Sequence, residues 1–254
     1  MDEIKTLLEK EKEKEKEKEI ASKIFAINSG IEGLLPIADG IINVEKYLKA
    51  KYRILWILKE PVDDWVIPQG TDKPRNGGWN LVLDIYNKLT IEEIKKDKNL
   101  FVAKKVMEAT YKLLPETNDE LEAFKSIAYI NIKKVPGGSS RNGKSSSRSV
   151  LKAEYIKNKK LLIEQIEAYN PDIVICGNTL QFLSEDNYFE KPHGSRQSFK
   201  EGKQFCYYLL VNRLYINIHH PAFYHSNNGL WKDCINEIVG AVNNWKKIKE
   251  NNNG

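Results

Sequence analysis

Three short apolar runs, one of them broken by a single Asn, constrain this fold more than any other feature of the chain. They are Ile54-Leu55-Trp56-Ile57-Leu58, residues 127–132 (Ile-Ala-Tyr-Ile-Asn-Ile) and Ile173-Val174-Ile175-Cys176. Runs this short, rich in Ile, Leu and Val and without polar alternation, read as strands buried on both faces. Helical patterns separate them. Leu81, Ile85 and Leu89 recur at four-residue spacing in a helix expected over 79–89. Further helices are expected over 101–114, stopped by Pro115, over 150–169, over 179–183 and over 230–248. Asn118 or Asp119 could cap a short helix reaching residue 125. Two more strands, 205–211 and 214–218, flank Asn212-Arg213 as a tight hairpin. Strands alternating with helices imply a three-layer α/β/α sandwich around a central, mostly parallel sheet.

Composition narrows the class. The chain has 254 residues and a mean hydropathy of -0.53. No run approaches the roughly 20 apolar residues that a membrane-spanning helix needs, so no membrane partner is expected. The three cysteines, Cys176, Cys206 and Cys234, include no CxxC pair, so spacing supports neither zinc nor an iron–sulfur cluster. No cofactor is expected, and a reduced, cytoplasmic compartment is the simplest reading. Residues 1–30 stand apart as a charged extension, with one α/β domain over 31–254. Over residues 11–19 Glu and Lys alternate strictly, which on a helix puts opposite charges at i,i+3 but like charges at i,i+4. The expectation there is a marginal, fully solvated helix or a disordered segment, with the apolar pattern starting near Ile20. Nothing signals an oligomer, and a monomer is the default.

The net charge of +5 does not itself identify a nucleic-acid partner, but its distribution is informative. Between Lys133 and Lys160 there are nine basic residues against one acid, Glu154. Such a cluster attracts polyanions. In open, mostly parallel sheets, ligands bind at the carboxyl ends of the strands. The segments there are Lys59-Glu60-Pro61, Asn131-Ile132-Lys133-Lys134, Gly177-Asn178 and His219-His220-Pro221. Together they would bring a carboxylate, a carboxamide and an imidazole to one sheet edge.

That ordered set resembles the uracil-DNA glycosylase superfamily. The stretch from Ile54 to Pro61 is similar to the first strand and water-activating loop, which in the family reads G-[QE]-[DA]-P. Here Leu58 replaces the Gly, Lys59 stands where Gln or Glu is usual, and Glu60 takes the place of Asp or Ala. Asn76-Gly77-Gly78-Trp79-Asn80 resembles the loop that supplies a base-stacking aromatic. The stretch from Ile127 to Gly137 resembles the strand bearing the base-reading Asn, in the version T-N-x-V-K-x-R-P-P. Residues 171–177 resemble the penultimate core strand, and His220-Pro221-Ala222 the H-P-[SA] motif. The match runs from about 50 to 245. The cysteine ligands of the iron–sulfur branch are missing, so the resemblance is to a divergent, cluster-free member.

The resemblance implies a monofunctional DNA glycosylase acting on uracil or another modified base in single- or double-stranded DNA. Asn131 would read the edge of the flipped base, its carboxamide having both a donor and an acceptor. Trp79 would stack on the base, with Trp65 and Tyr129 as other choices. His220, or failing it His219, would donate to the charge developing on the departing base. Glu60 would orient a water or stabilise the cationic sugar. Tyr224, with Phe223, would enter the gap left by the base. Lys133, Lys134, Arg141, Lys144 and Arg148 would contact phosphates. Two other readings compete: a catalytically silent nucleic-acid-binding module of the same fold, and a doubly wound domain that binds a small nucleotide. Against the last, the chain has no GxGxxG or GxxxxGK[ST] loop.

Overall fold

The apolar runs become the middle of a six-stranded sheet. The computed structural model describes residues 2–27, 35–61, 80–86, 88–96, 100–136, 146–185, 206–209, 213–224 and 227–252. In chain order the strands are β1 (Gly40–Ile41), β2 (Ile54–Leu58), β3 (Ile127–Asn131), β4 (Ile173–Gly177), β5 (Cys206–Leu209) and β6 (Leu214–Ile218). The helices are α1 (Asp2–Phe25), α2 (Val44–Lys49), α3 (Ile91–Lys96), α4 (Phe101–Leu113), α5 (Glu120–Lys125), α6 (Arg148–Tyr169), α7 (Leu180–Glu185) and α8 (Asn228–Asn252). The sheet order is β1-β3-β2-β4-β6-β5. The inner four strands are mutually parallel, and β1 and β5 add antiparallel edges. The fold is therefore α/β with a mixed, mostly parallel sheet.

Alternate strand residues point to opposite faces, and each face is covered. Trp56, Leu58, Tyr129, Ile175 and Ile216 join a core with residues of α4, α5 and α8. Leu55, Ile57, Ala128, Ile130, Val174 and Cys176 join a second core with residues of α1, α6 and α7. These are the three layers expected. The chain passes from β2 outward to β3, then crosses to β4 on the other side of β2. The crossover helices leave on opposite faces, so the strand order reverses between β2 and β4. A crevice at the carboxyl ends of the strands opens at such a reversal.

Several elements differ from the expectation. The helix expected over 79–89 is a six-residue π-helical segment, Leu81–Tyr86. Its entry is committed elsewhere: the Leu81 N–H donates to Ala38 O at 2.7 Å, and Asn80 forms a parallel bridge to Ala38. Helix α3 opens on a reciprocal cap that the pattern reading passed over. Thr90 Oγ1 accepts from the Glu93 N–H at 3.3 Å, and Glu93 Oε2 accepts from the Thr90 N–H at 2.7 Å. Strand β1 is two residues long, too short for any periodicity. The two hairpin strands do pair antiparallel, but Leu209 stands opposite Leu214, where a two-residue turn at 212–213 would have put Val211. Asn212 lies outside the described residues.

The N-terminal segment is a helix, and it is not fully solvated. Ile20 and Ile24 are buried in the second core, and Lys23 pairs with Glu164 of α6 at 2.9 Å. Glu13, Glu17, Ile20 and Ile24 recur at spacings of four, three and four, which is one face of a helix. Charge alternation masked this face because two of its four members are glutamates. Glu17 Oε1 accepts the Ile41 N–H of β1 at 3.1 Å. Burial raises the Glu17 carboxyl to about 7 from its ordinary 4.5, against the lowering effect of that N–H. The folded chain thus keeps a proton that the unfolded chain releases near 4.5. The associated stability is full below that pH and is lost as pH rises through 7. Glu17→Gln, always neutral, is expected to match wild type at pH 4 and to exceed it at pH 8 by about 1–2 kcal/mol in urea denaturation.

Candidate functional site at the carboxyl edge of the sheet

The parallel register brings the strand ends level. Leu58 pairs with Asn131, Ile57 with Cys176 and Gly177 with Ile218. The residues that follow each strand, Glu60, Asn131, Gly177-Asn178 and His219-His220, therefore share one edge of the sheet. Gly177 permits the closest approach there. A Cβ on it would lie 2.5 Å from Leu58 Cδ2, 3.3 Å from Pro221 Cδ and 3.4 Å from His220 Cδ2. Asn178 then takes a positive φ of 60°, which Asn tolerates better than most residues, and donates its N–H to Ile218 O at 2.7 Å.

Asn131 is fully buried. Its backbone N–H donates to Asp39 Oδ2 at 2.7 Å, and its Nδ2 reaches the same oxygen at 3.4 Å. The other Asp39 oxygen accepts from Lys134 Nζ at 2.7 Å and from Gln165 Nε2 at 3.0 Å. Lys134 Nζ also donates to Gln165 Oε1 at 2.7 Å. Asp39, Asn131, Lys134 and Gln165 thus form one buried polar network. Burial pushes the Lys134 ammonium below its usual value, and Asp39 pulls it back up. Asn131 Oδ1 is buried and has no hydrogen-bond partner among the described residues.

Glu60 forms a second system. Its Oε1 accepts the Ser146 N–H at 2.6 Å, and its Oε2 accepts the Ser146 hydroxyl. Lys133 Nζ lies 3.6 Å from Oε2, and both side chains are 6% exposed. Lys133 also donates to Pro136 O at 2.8 Å. Ser146 immediately precedes Ser147, the N-cap of α6. The carboxylate therefore sits at the positive end of a 22-residue helix.

His220 forms a third. It packs beside Gly177, and its Nδ1 accepts the Ala222 N–H at 3.2 Å. A ring nitrogen that accepts carries no proton, so the neutral imidazole holds its proton on Nε2. Burial, helped by the Lys59 charge, lowers His220 from 6.5 to about 3. The ring is therefore neutral at physiological pH. His219 is also lowered, by burial and then by Lys59, and stacks on Phe223 with ring centroids 4.3 Å apart.

The remaining expectations fare unevenly. Lys133 and Lys134 are buried and paired inside the domain, so they are not phosphate contacts. Tyr224 is 5% exposed and packs on Trp231 at 5.0 Å, so it cannot enter DNA. The exposed neighbour is Phe223, at 58%. In the helical turn Pro221–Tyr224, successive side chains point about 100–120° apart, so one aromatic faces the core and the other solvent. Tyr129 is a core residue, edge-on to Tyr86 at 5.3 Å. Arg148 opens α6 with an exposed side chain. Trp79, Trp65, Arg141 and Lys144 lie outside the described residues. Among the described residues, no group of three or more His, Cys, Asp or Glu side chains could hold a metal ion.

The chain matches no family model and no curated protein.

Asp39, Ser146 and Gln165 were not singled out from the sequence. Gln165 left a signal: it falls on the stripe Leu151, Tyr155, Leu162, Ile166 and Tyr169, where a polar residue must find a buried partner. The Asp39–Lys134 pair gives a stability test. Lys134→Met leaves Asp39 charged and buried and is expected to cost about 3–5 kcal/mol. Asp39→Asn combined with Lys134→Met is expected to recover most of that loss. Urea unfolding of the two variants beside wild type measures the difference.

Proposed function

We propose that the chain is a DNA glycosylase of the uracil-DNA glycosylase type. It would hydrolyse the N-glycosidic bond of uracil, or of another damaged or modified base, flipped out of DNA. The observation that carries this reading is the state of His220: neutral, with its proton on Nε2, at the carboxyl edge of the sheet. When the glycosidic bond breaks, electrons move onto the departing base, and negative charge collects on its oxygen. A neutral imidazole N–H can stabilise that charge by hydrogen bonding without having to transfer its proton. Asn131 supplies a buried carboxamide for the base edge, and burial makes an unmatched edge costly. Phe223 takes the wedge role first assigned to Tyr224, and Arg148 remains as a surface cation for phosphate.

One observation favours the silent nucleic-acid-binding module instead. Both Glu60 oxygens are engaged by Ser146, and Lys133 stands beside them. Each oxygen of a carboxylate held this way already accepts a bond, which leaves it fewer lone pairs with which to orient a water, while its charge can still stabilise a cationic sugar. The two readings separate in one assay. Oligonucleotides carrying a single uracil, or one of a panel of modified bases, are incubated with the protein and treated with alkali to cleave abasic sites. The glycosylase reading expects strand scission, reduced about 10²–10³-fold by His220→Ala and lost in Asn131→Ala. It also expects no inflection from His220 between pH 5 and 8, because the ring stays neutral there. Salt-sensitive binding with no scission on any substrate would establish the silent module.

A further inference from the structure

The carboxamide of Asn131 is not free to present either end. Asp39 meets it with Oδ2, and a carboxylate only accepts hydrogen bonds. The nitrogen must therefore face Asp39, and the oxygen must face away. Lys134 and Gln165 hold Asp39 from its other oxygen, so the carboxylate cannot swing aside without breaking a buried ion pair. The backbone N–H of Asn131 binds the same Oδ2 at 2.7 Å and fixes the strand end to it. Of the two amide hydrogens one goes to Asp39, and on the far side the group presents Oδ1, a buried acceptor without a partner among the described residues. Leaving an acceptor buried and unpaired costs about 1–3 kcal/mol, and such an atom in a native protein calls for a ligand or a role.

We propose that Asp39 is a positioning residue that fixes the polarity of the Asn131 carboxamide, so that the site turns Oδ1 toward its ligand and takes a ligand N–H there. The proposal rests on the base-reading role given to Asn131 above and deepens it. A carboxamide free to turn can serve a donor or an acceptor on the ligand. Pinned by Asp39, it serves a donor. The ligand class is a planar heterocycle with a ring or exocyclic N–H at its recognised edge, such as the imide N3–H of uracil. Methylation of that nitrogen removes the donor and places a methyl group against Oδ1.

Two measurements on the full chain test this. The first needs no ligand. In ¹⁵N-labelled protein the Asn131 side-chain NH₂ pair is assigned by its loss in Asn131→Ser, and its hydrogen exchange is followed. Protected exchange in wild type, accelerated about tenfold or more in the Asp39→Asn/Lys134→Met double variant, is the expected result. The double variant is used because it leaves no unpaired buried charge and so keeps the fold. Exchange as fast in wild type as for the exposed Asn251, or unchanged in the double variant, would overturn the role of Asp39. The second uses free uracil and 3-methyluracil as probes, with shifts of the Asn131 pair as readout. Wild type is expected to prefer uracil by about ten- to a hundredfold, and the double variant to lose most of that preference. Equal binding of the two probes, or an undiminished preference in the double variant, would overturn the proposed selectivity. If neither probe binds and no base is released from DNA, the ligand class and the base-reading role fall together, while the exchange result still decides the positioning by Asp39.

Discussion

The buried ion pair between Asp39 and Lys134 holds three parts of the molecule in one relation. Asp39 precedes β1, Lys134 follows β3, and Gln165 of α6 bonds to both. The segment from Ile37 to Ile41 runs antiparallel beside β3 from Lys134 to Ala128, and the Ile37 N–H donates to Lys134 O at 2.7 Å. Neither charge would be tolerable alone in a largely apolar core. Each is acceptable because the other is in place, so the end of β3 can have only one arrangement. Asn131 inherits that definition through its two contacts with Asp39.

The central strands were legible because their signal is local. Four or five consecutive apolar residues can be recognised without knowing their partners, and the parallel pairing followed from the helices between them. The site was legible only in outline. Glu60, Asn131 and His220 do reach one edge, but each enters a different hydrogen-bond system. The partners that decide this are distant in sequence: Asp39 lies 92 residues from Asn131, and Glu60 lies 86 from Ser146. No periodicity carries information across such gaps. The basic cluster misled for a related reason. Lys133 and Lys134 count as charge in the sequence, yet in the fold they neutralise Glu60 and Asp39. Phe223 and Tyr224 differ by one position, and only the turn that carries them decides which ring is exposed.

The three systems divide the work of the edge. The Asp39 network fixes a carboxamide, the Glu60 network ties the end of β2 to the start of α6, and the Ala222 N–H sets the tautomer of His220. A surface that must discriminate among planar ligands needs its polar groups held before the ligand arrives, because ordering them during binding is costly. Here that ordering is done by backbone N–H groups and buried ion pairs. The reversal of strand order between β2 and β4 is the place where open sheets of this kind bind ligands.

The bond from the Ile41 N–H to Glu17 also bears on how the chain behaves in company. Strand β1 ends the sheet on one side, and an uncovered strand edge can pair with a strand from another molecule. The outward N–H of Ile41 is already taken, by the Glu17 carboxyl oxygen on a helix that lies along that margin. An incoming strand would have to displace a helix bearing nine alternating Glu and Lys residues, and it would meet a charged surface while doing so. The charged N-terminal segment thus closes the open side of the sheet against strand addition, and deleting it would expose a template for self-association.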